Sequence, residues 1–191
     1  MALTLITKPT AEPVSVEMAK SHLRVTHNAD DAYIEQLCKA VRTWTEGYLH
    51  RALITQTWDW KLDHGFPCSP FKVPLPKLQS ITHIKYIDID GAEQTVTSTV
   101  YDVDIASEPG RIALAWGQSW PSVREQMNNV TIRMVCGYGD VVDVPKEIVH
   151  AMKILLSHLY EHREPVIVGA AIANVPHSIE SLLWPNRVDI L

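Results

Sequence analysis

Residues 54–63 read ITQTWDWKLD, and in them the chain changes its period. Trp58, Trp60 and Leu62 fall on one side of an extended backbone and Thr57, Asp59 and Lys61 on the other, as a half-buried strand requires. Just upstream the period is helical. Ile34, Leu37, Cys38, Val41, Thr45 and Tyr48 recur at three-and-four spacing, which predicts a long amphipathic helix with Asn28 as N-cap and Asp30 and Asp31 in its first turn. The switch near Leu53 therefore separates a helical part from a strand-rich part.

Outward from this point the same two periods organise the rest. Before the long helix, Ser15 is placed to cap a short helix over VEMAKSHLRV, with the acid Glu17 at its positive end. After the strand, FPCSPFKVPLPKLQS carries four prolines, which forbid a central strand or a helix and predict an extended surface run. SITHIKYIDI and EQTVTSTV flank Asp90-Gly91, a pair suited to a tight hairpin. YDVDI and RIALAW bracket a Glu-Pro-Gly turn, and NVTIRMVCGYG alternates Val130, Ile132, Met134 and Cys136 with Thr131, Arg133 and Val135. From Pro145 the helical period returns, with Ile148, Val149, Met152, Leu155, Leu156 and Leu159 forming one stripe that Glu164-Pro165 ends. Residues 166–176, VIVGAAIANVP, are apolar but interrupted by Gly and Pro, and a short helix around SIESLLW precedes Pro185.

The expected class is thus α+β. A small helical core, made of N-terminal helices (1–52) and a long helix (144–164), is interrupted by an antiparallel β-rich insertion (53–143) and followed by a C-terminal arm with a short helix (165–191).

The chain has 191 residues, 46% of them hydrophobic and 20% charged, the composition of a folded globular protein. A net charge of −5 and a pI near 6.0 leave no basic footprint for sequence-specific nucleic-acid binding. Three scattered cysteines, Cys38, Cys68 and Cys136, fit neither a disulfide framework nor a thiolate zinc site, and point to a reducing cytoplasm. No apolar run reaches the length of a membrane span, and MALTLITKPTAEP does not read as a signal peptide.

One stretch carries an enzyme-like pattern. HLYEH, residues 158–162, fits H-x-x-E-H, in which two histidines one helical turn apart grip a zinc ion and the glutamate activates its water. A zinc-dependent hydrolase using His158, Glu161 and His162 is the alternative function. Chance yields the pattern in roughly one of forty chains of this composition. A catalytic zinc also needs a third protein ligand, and the 29 residues after His162 offer only Glu164 and Glu180. The histidines lie on the flank of the apolar stripe rather than in a cleft. Asp102 and Asp104 share a strand face, which reads more simply as solvated than as metal-binding. No G-x-S-x-G elbow, P-loop or G-x-G-x-x-G is present. No catalytic residue, cofactor or metal is expected.

The tryptophans are more informative. Trp58 and Trp60 read as core packing. Trp116, Trp120 and Trp184 lie beside Gly or Pro in turns or helix ends, where aromatics serve as interface anchors. With Arg163 and Arg187 they form the set of candidate subunit-interface residues.

An ordered series of segments carries a resemblance. EPVSVEMAKSHLRV (12–25) is a short helix ending in H-L-R-V. TEGYLHRALITQTWDW (45–60) leads a helix end through Arg-Ala-Leu and T-Q-T-W into a strand. LPKLQSITHIKYID (75–88), Trp120-Pro121, VTIRMVCGYGD and VPKEIVHAMKILLSHLYEHRE follow, with a looser match in VPHSIESLLWPNR. In this order they resemble the head-tail connector, or adaptor, proteins of tailed bacteriophages and prophages. Lys77 stands where that family commonly has a proline. The family's last long helix commonly closes in Y-E-x-R-E, here Tyr160-Glu161-His162-Arg163-Glu164, so His162 falls at the variable position and completes the zinc-like pattern by coincidence.

The resemblance implies a structural virion protein at the head-tail junction, assembled in the host cytoplasm. Its expected partners are further copies of itself in a ring, dodecameric in the virion, the portal protein, and a downstream neck or tail-completion protein. DNA would pass through the channel without sequence-specific binding, and no membrane is involved. A ring of identical heterologous contacts needs no catalytic group, and a mildly acidic channel lets DNA slide because phosphate affinity comes from Lys and Arg.

Overall fold

The computed structural model describes residues 2–163 and 177–188. Among them are four α-helices, α1 Val16–Leu23, α2 Asp31–Leu49, α3 Lys146–Glu161 and α4 His177–Leu183. Eight strands complete the set: β1 Ala2–Thr7, β2 Gln56–Leu62, β3 Phe71–Lys72, β4 Leu78–Ile87, β5 Glu93–Thr95, β6 Tyr101–Asp104, β7 Arg111–Leu114 and β8 Val130–Cys136. The class is α+β, as the two sequence periods imply. The chain forms two compact units, one of residues 2–9 and 55–138 and one of residues 10–54, 139–163 and 177–188. The expected arm lies at 165–191, and its apolar part, 166–176, falls outside the described residues.

In the helical unit, the Ser15 hydroxyl accepts a hydrogen bond from the Met18 amide at 3.2 Å and caps α1. Helix α2 buries Ile34, Leu37, Cys38, Val41, Thr45 and Leu49, and α3 buries Ile148, Ala151, Met152, Leu155 and Leu156. These stripes pack on each other, and α4 adds the fully buried Ile179 and Leu183 against α3. Each such Leu or Ile stabilises the unit by about 1.5–3 kcal/mol. Arg42 ties the entry segment to α2, reaching Glu12 at 2.8 Å through Nε and Glu46 at 2.8 Å through Nη1. Glu46 also accepts the Leu53 amide at 2.9 Å, which fixes the chain as it leaves the helix.

The start of α2 differs from expectation. Asp30, not Asn28, is the N-cap, and its side chain makes no capping bond. The reason is competition between partners: Asn28 accepts from the Lys20 ammonium at 2.7 Å, and the Asp30 carboxylate is held by Tyr160 and Arg163. Similarly, Pro145 caps α3 and Lys146 opens it.

In the β unit, five antiparallel strands run in the order β1-β2-β8-β4-β5. β8 is central, and its alternation is realised: Val130, Ile132, Met134 and Cys136 are all completely buried. Ile132 pairs with Trp60 on one side and Ile84 on the other. The other face of β2 carries Asp59, opposite Arg133, in a two-pronged ion pair of 2.7 and 2.8 Å. A second sheet has the order β3-β7-β6.

Both expected turns form. At the β4–β5 hairpin, Gly91 adopts φ 90°, and Asp88 Oδ1 accepts the Asp90 and Ala92 amides. Asp104 organises the β6–β7 turn, accepting from Ser107 Oγ at 2.6 Å and from Arg111 Nη2 at 2.6 Å. These donors hold its carboxyl well below the usual range, so Asp104 is engaged in the turn rather than in a metal site.

Two strand readings change. Residues 2–7 form β1, paired with β2 through Leu3 to Trp60 and Leu5 to Trp58, so the helical part does not begin at residue 1. The proline-rich stretch is not purely a surface run. Phe71 and Val73 are buried at 7% and 1% exposure, and β3 pairs with β7. Prolines on either side leave room for two paired residues at a sheet edge, where a missing amide costs least.

Candidate interaction surface

Three groups of side chains stand out, and each is built within a single unit. The first lies where α3 ends in the helical unit. Arg163 sits beside two aromatic rings, 4.6 Å from the Tyr33 centroid and 4.8 Å from that of Tyr160, while its Nη2 reaches Asp30 Oδ2 at 2.9 Å. The Tyr160 hydroxyl donates to the same carboxylate oxygen. The Tyr160 and Arg163 donors lower the Asp30 pKa, in that order, and the bond to Asp30 raises that of Tyr160. Cation–π contact and charge-assisted hydrogen bonding thus converge on one guanidinium. The result is a clasp between the start of α2 and the end of α3.

The HLYEH residues lie on this same helix end. The imidazoles of His158 and His162 are 4.6 Å apart between centroids. Yet His162 has already left helical geometry at φ −109°, ψ 70°, and its Nδ1 lies 2.9 Å from the His158 carbonyl oxygen. That ring completes the helix terminus. Glu161 is exposed on the last helical turn. Among the described residues no three His, Cys, Asp or Glu side chains are grouped to hold a metal.

The second group lies around α4 in the helical unit. Tyr48, Glu180, Ser181, Trp184 and Arg187 line a cleft of about 420 Å³. Arg187 stands 5.4 Å from the Tyr48 ring and 5.5 Å from the Trp184 ring, and Trp44 stacks on Tyr48 at 5.4 Å. Two bonds fix this corner to the end of α2: the Val188 amide donates to the Leu49 carbonyl at 3.1 Å, and His50 Nδ1 meets the Val188 carbonyl at 3.1 Å. Trp184 stays 63% exposed. A large aromatic flanked by a cation yet open to solvent has the composition of an interface anchor.

The third group is in the β unit, where the two tryptophans read alike in the sequence part company. Trp116 is wholly exposed, just after β7 and before Gly117 at φ 74°. Trp120 is half-buried, stacked on Phe66 at 4.4 Å with planes 5° apart, and flanked by Phe71 and Tyr101. Trp120 therefore belongs to the internal aromatic packing of the unit. Among the described residues, Trp184 and Arg187 come together, Trp116 stands fully exposed, and Arg163 has its own cluster. Sequence reading missed Asp30, Tyr33, Tyr48 and Tyr160 as their partners. The usable signal was the Tyr160-x-x-Arg163 spacing, which places ring and cation one helical turn apart.

Residues 13–107 match the sequence model of the family described as phage gp6-like head-tail connector protein. No curated protein sequence matches the chain. Among solved structures it is similar to chains in the virion of a native gene transfer agent particle (TM-score 0.81), in the neck of an empty particle of that agent computed with C6 symmetry (0.80), and in the neck of a native one computed with C12 symmetry (0.73). In each case the identity is 22%, and the match covers 100% of this chain and 98% of the other. The fold is shared from end to end, and the chain belongs to the phage head-tail connector family.

Proposed function

We propose that this chain is a structural neck protein that assembles as a ring beneath the portal, continues the DNA channel and offers the next neck or tail protein its docking surface. The observation that carries the reading is the connector-family match over residues 13–107. The full-length likeness to chains of particle necks computed with C12 and C6 symmetry supports the fold that such a ring requires. In a ring each copy presents two different patches, so anchors must stand out from the subunit surface. Trp184 with Arg187, and Trp116, are the side chains proposed for that use. Trp120 is better assigned to packing within the β unit, and Arg163 to the clasp that holds the end of α3. Twelve copies, matching the portal, assembled in the host cytoplasm, complete the proposal. A net charge of −5 suits a channel wall that must not grip phosphate.

The test is genetic and structural. Removing the chain from a producing strain should leave DNA-filled heads without tails, and restoring it in trans should recover tailed particles. Tailed, infectious particles made without it would refute the role. Trp184→Ala should weaken ring assembly about tenfold, the loss of a typical anchor, without changing the circular dichroism of the isolated chain.

A further inference from the structure

Among the described residues, the two sheets of the β unit present four outer strands, β1 and β5 in one and β3 and β6 in the other. An open edge offers a row of unpaired amides and carbonyls to any extended chain, and proteins blunt such edges with charge, proline or brevity. Three of the four are blunted in this way. β5 has three residues, with Glu93 ion-paired to Lys85. β6 carries Asp102 and Asp104. β3 has two residues, one of them Lys72, and follows Pro70. β1, by contrast, is ALTLIT, six residues with no charge and no proline. Leu3 and Ile6 are 41% and 44% exposed.

The strand also reads the same in both directions about Thr4, as Leu3-Thr4-Leu5. Leu3 and Leu5 lie on the sheet face of Trp60 and Trp58, their direct partners on β2. An antiparallel pairing of two such strands about a two-fold axis through Thr4 sets Leu3 opposite Leu5 of the second copy, and the reverse. Directly opposed residues share a face, so four leucines would join the tryptophan faces of both sheets. Thr4 would face Thr4. A charge on the two-fold axis would face its own copy and repel it, and β1, alone among these four strands, carries no charge at all.

We infer that β1 is a self-pairing edge, through which two copies of the unassembled chain join their five-stranded sheets into one of ten strands. A two-fold pair cannot be repeated around a ring axis, because ring contacts join unlike patches. The dimer therefore belongs to the chain before assembly, covering an edge that would otherwise recruit other strands. A single strand pair falls well short of the roughly 1,600 Å² buried in a stable complex, so the dimer is weak and separates readily. That suits a form that must give way to a ring.

Sedimentation velocity over a hundredfold range of concentration tests this. The wild-type chain should pass from monomer to dimer, and hydrogen exchange of residues 2–7 should slow as it does. Thr4→Lys and Thr4→Glu, at an exposed position, should each stay monomeric with unchanged near-ultraviolet circular dichroism. An equimolar mixture of the two should dimerise at least tenfold more tightly than either alone, because the opposed charges then attract. The inference is overturned if the wild type stays monomeric, if it forms a ring directly without a dimer, or if its dimer survives both substitutions. It is equally overturned if the mixture does not rescue pairing, since residue 4 would then not face its own copy. Ring formation on the portal is a separate readout, so this inference and the connector role can fail independently.

Discussion

Asp59 shows how much one residue can carry in this protein. It is 7% exposed and faces Arg133 across β2 and β8, which holds its carboxyl below the ordinary aspartate range. A carboxylate with a folded pKa below its unfolded value contributes stability above the unfolded pKa, and that contribution is lost as pH falls through the folded one. Stability should therefore drop on acidification below about pH 4, and Asp59→Asn should flatten that drop in chemical denaturation at a series of pH values. Arg133→Ala leaves the carboxylate without its partner and should cost about 2 kcal/mol at pH 7. The cysteines separate on the same grounds. Burial pushes the Cys38 thiol up to about 11 and that of Cys136 to about 12, while Cys68 is exposed. Thiol alkylation at pH 8 should label Cys68 alone in the native protein and all three sites in denaturant, since the thiolate is the reactive form.

The elements differ in how far the sequence announces them. Helices α2 and α3 and the central strand β8 are long and strongly periodic, and the pattern names most of their buried faces; Tyr48, Val149 and Leu159 are only half-buried, while Leu49 and Ala151 are buried unannounced. Leu156→Ala, in the fully buried stripe of α3, should cost about 2–5 kcal/mol by thermal or urea unfolding. Gly110 is legible only in three dimensions: a Cβ there would stand 2.7 Å from Leu78 Cβ and Cδ2. Gly110→Ala should thus destabilise the β unit by about 1–3 kcal/mol, measured in the same way. What the sequence hides is whatever depends on a distant partner. β1 gains its identity only from pairing with β2, fifty or more residues on. Asn28 looks like a helix cap until Lys20 claims it. Phe71 and Val73 are buried among prolines because β7 comes alongside. The candidate surface divides in the same way. Exposure of Trp116 and Trp184 follows from their turn and helix-end settings, but the stacking of Trp120 on Phe66 and the clasp of Arg163 on Asp30 and Tyr33 span separations that no local pattern records.

At the scale of the whole molecule, two units are folded from a chain that leaves the helical unit near residue 54 and returns near residue 139. Each carries a largely exposed tryptophan, Trp116 in one and Trp184 in the other. A subunit whose work is to be a neighbour needs such features and needs no cleft built for chemistry. The HLYEH pattern fits this view, since His162 closes a helix and Tyr160 and Arg163 hold that helix in place. The most direct test of the connector role is electron cryo-microscopy of the purified chain mixed with the portal of the same particle. The account predicts a single ring of copies bound coaxially to the portal, with the portal's own symmetry and Trp184 at a subunit contact. A chain that remains free of the portal at saturating concentration, or binds it without forming a ring, would contradict the account.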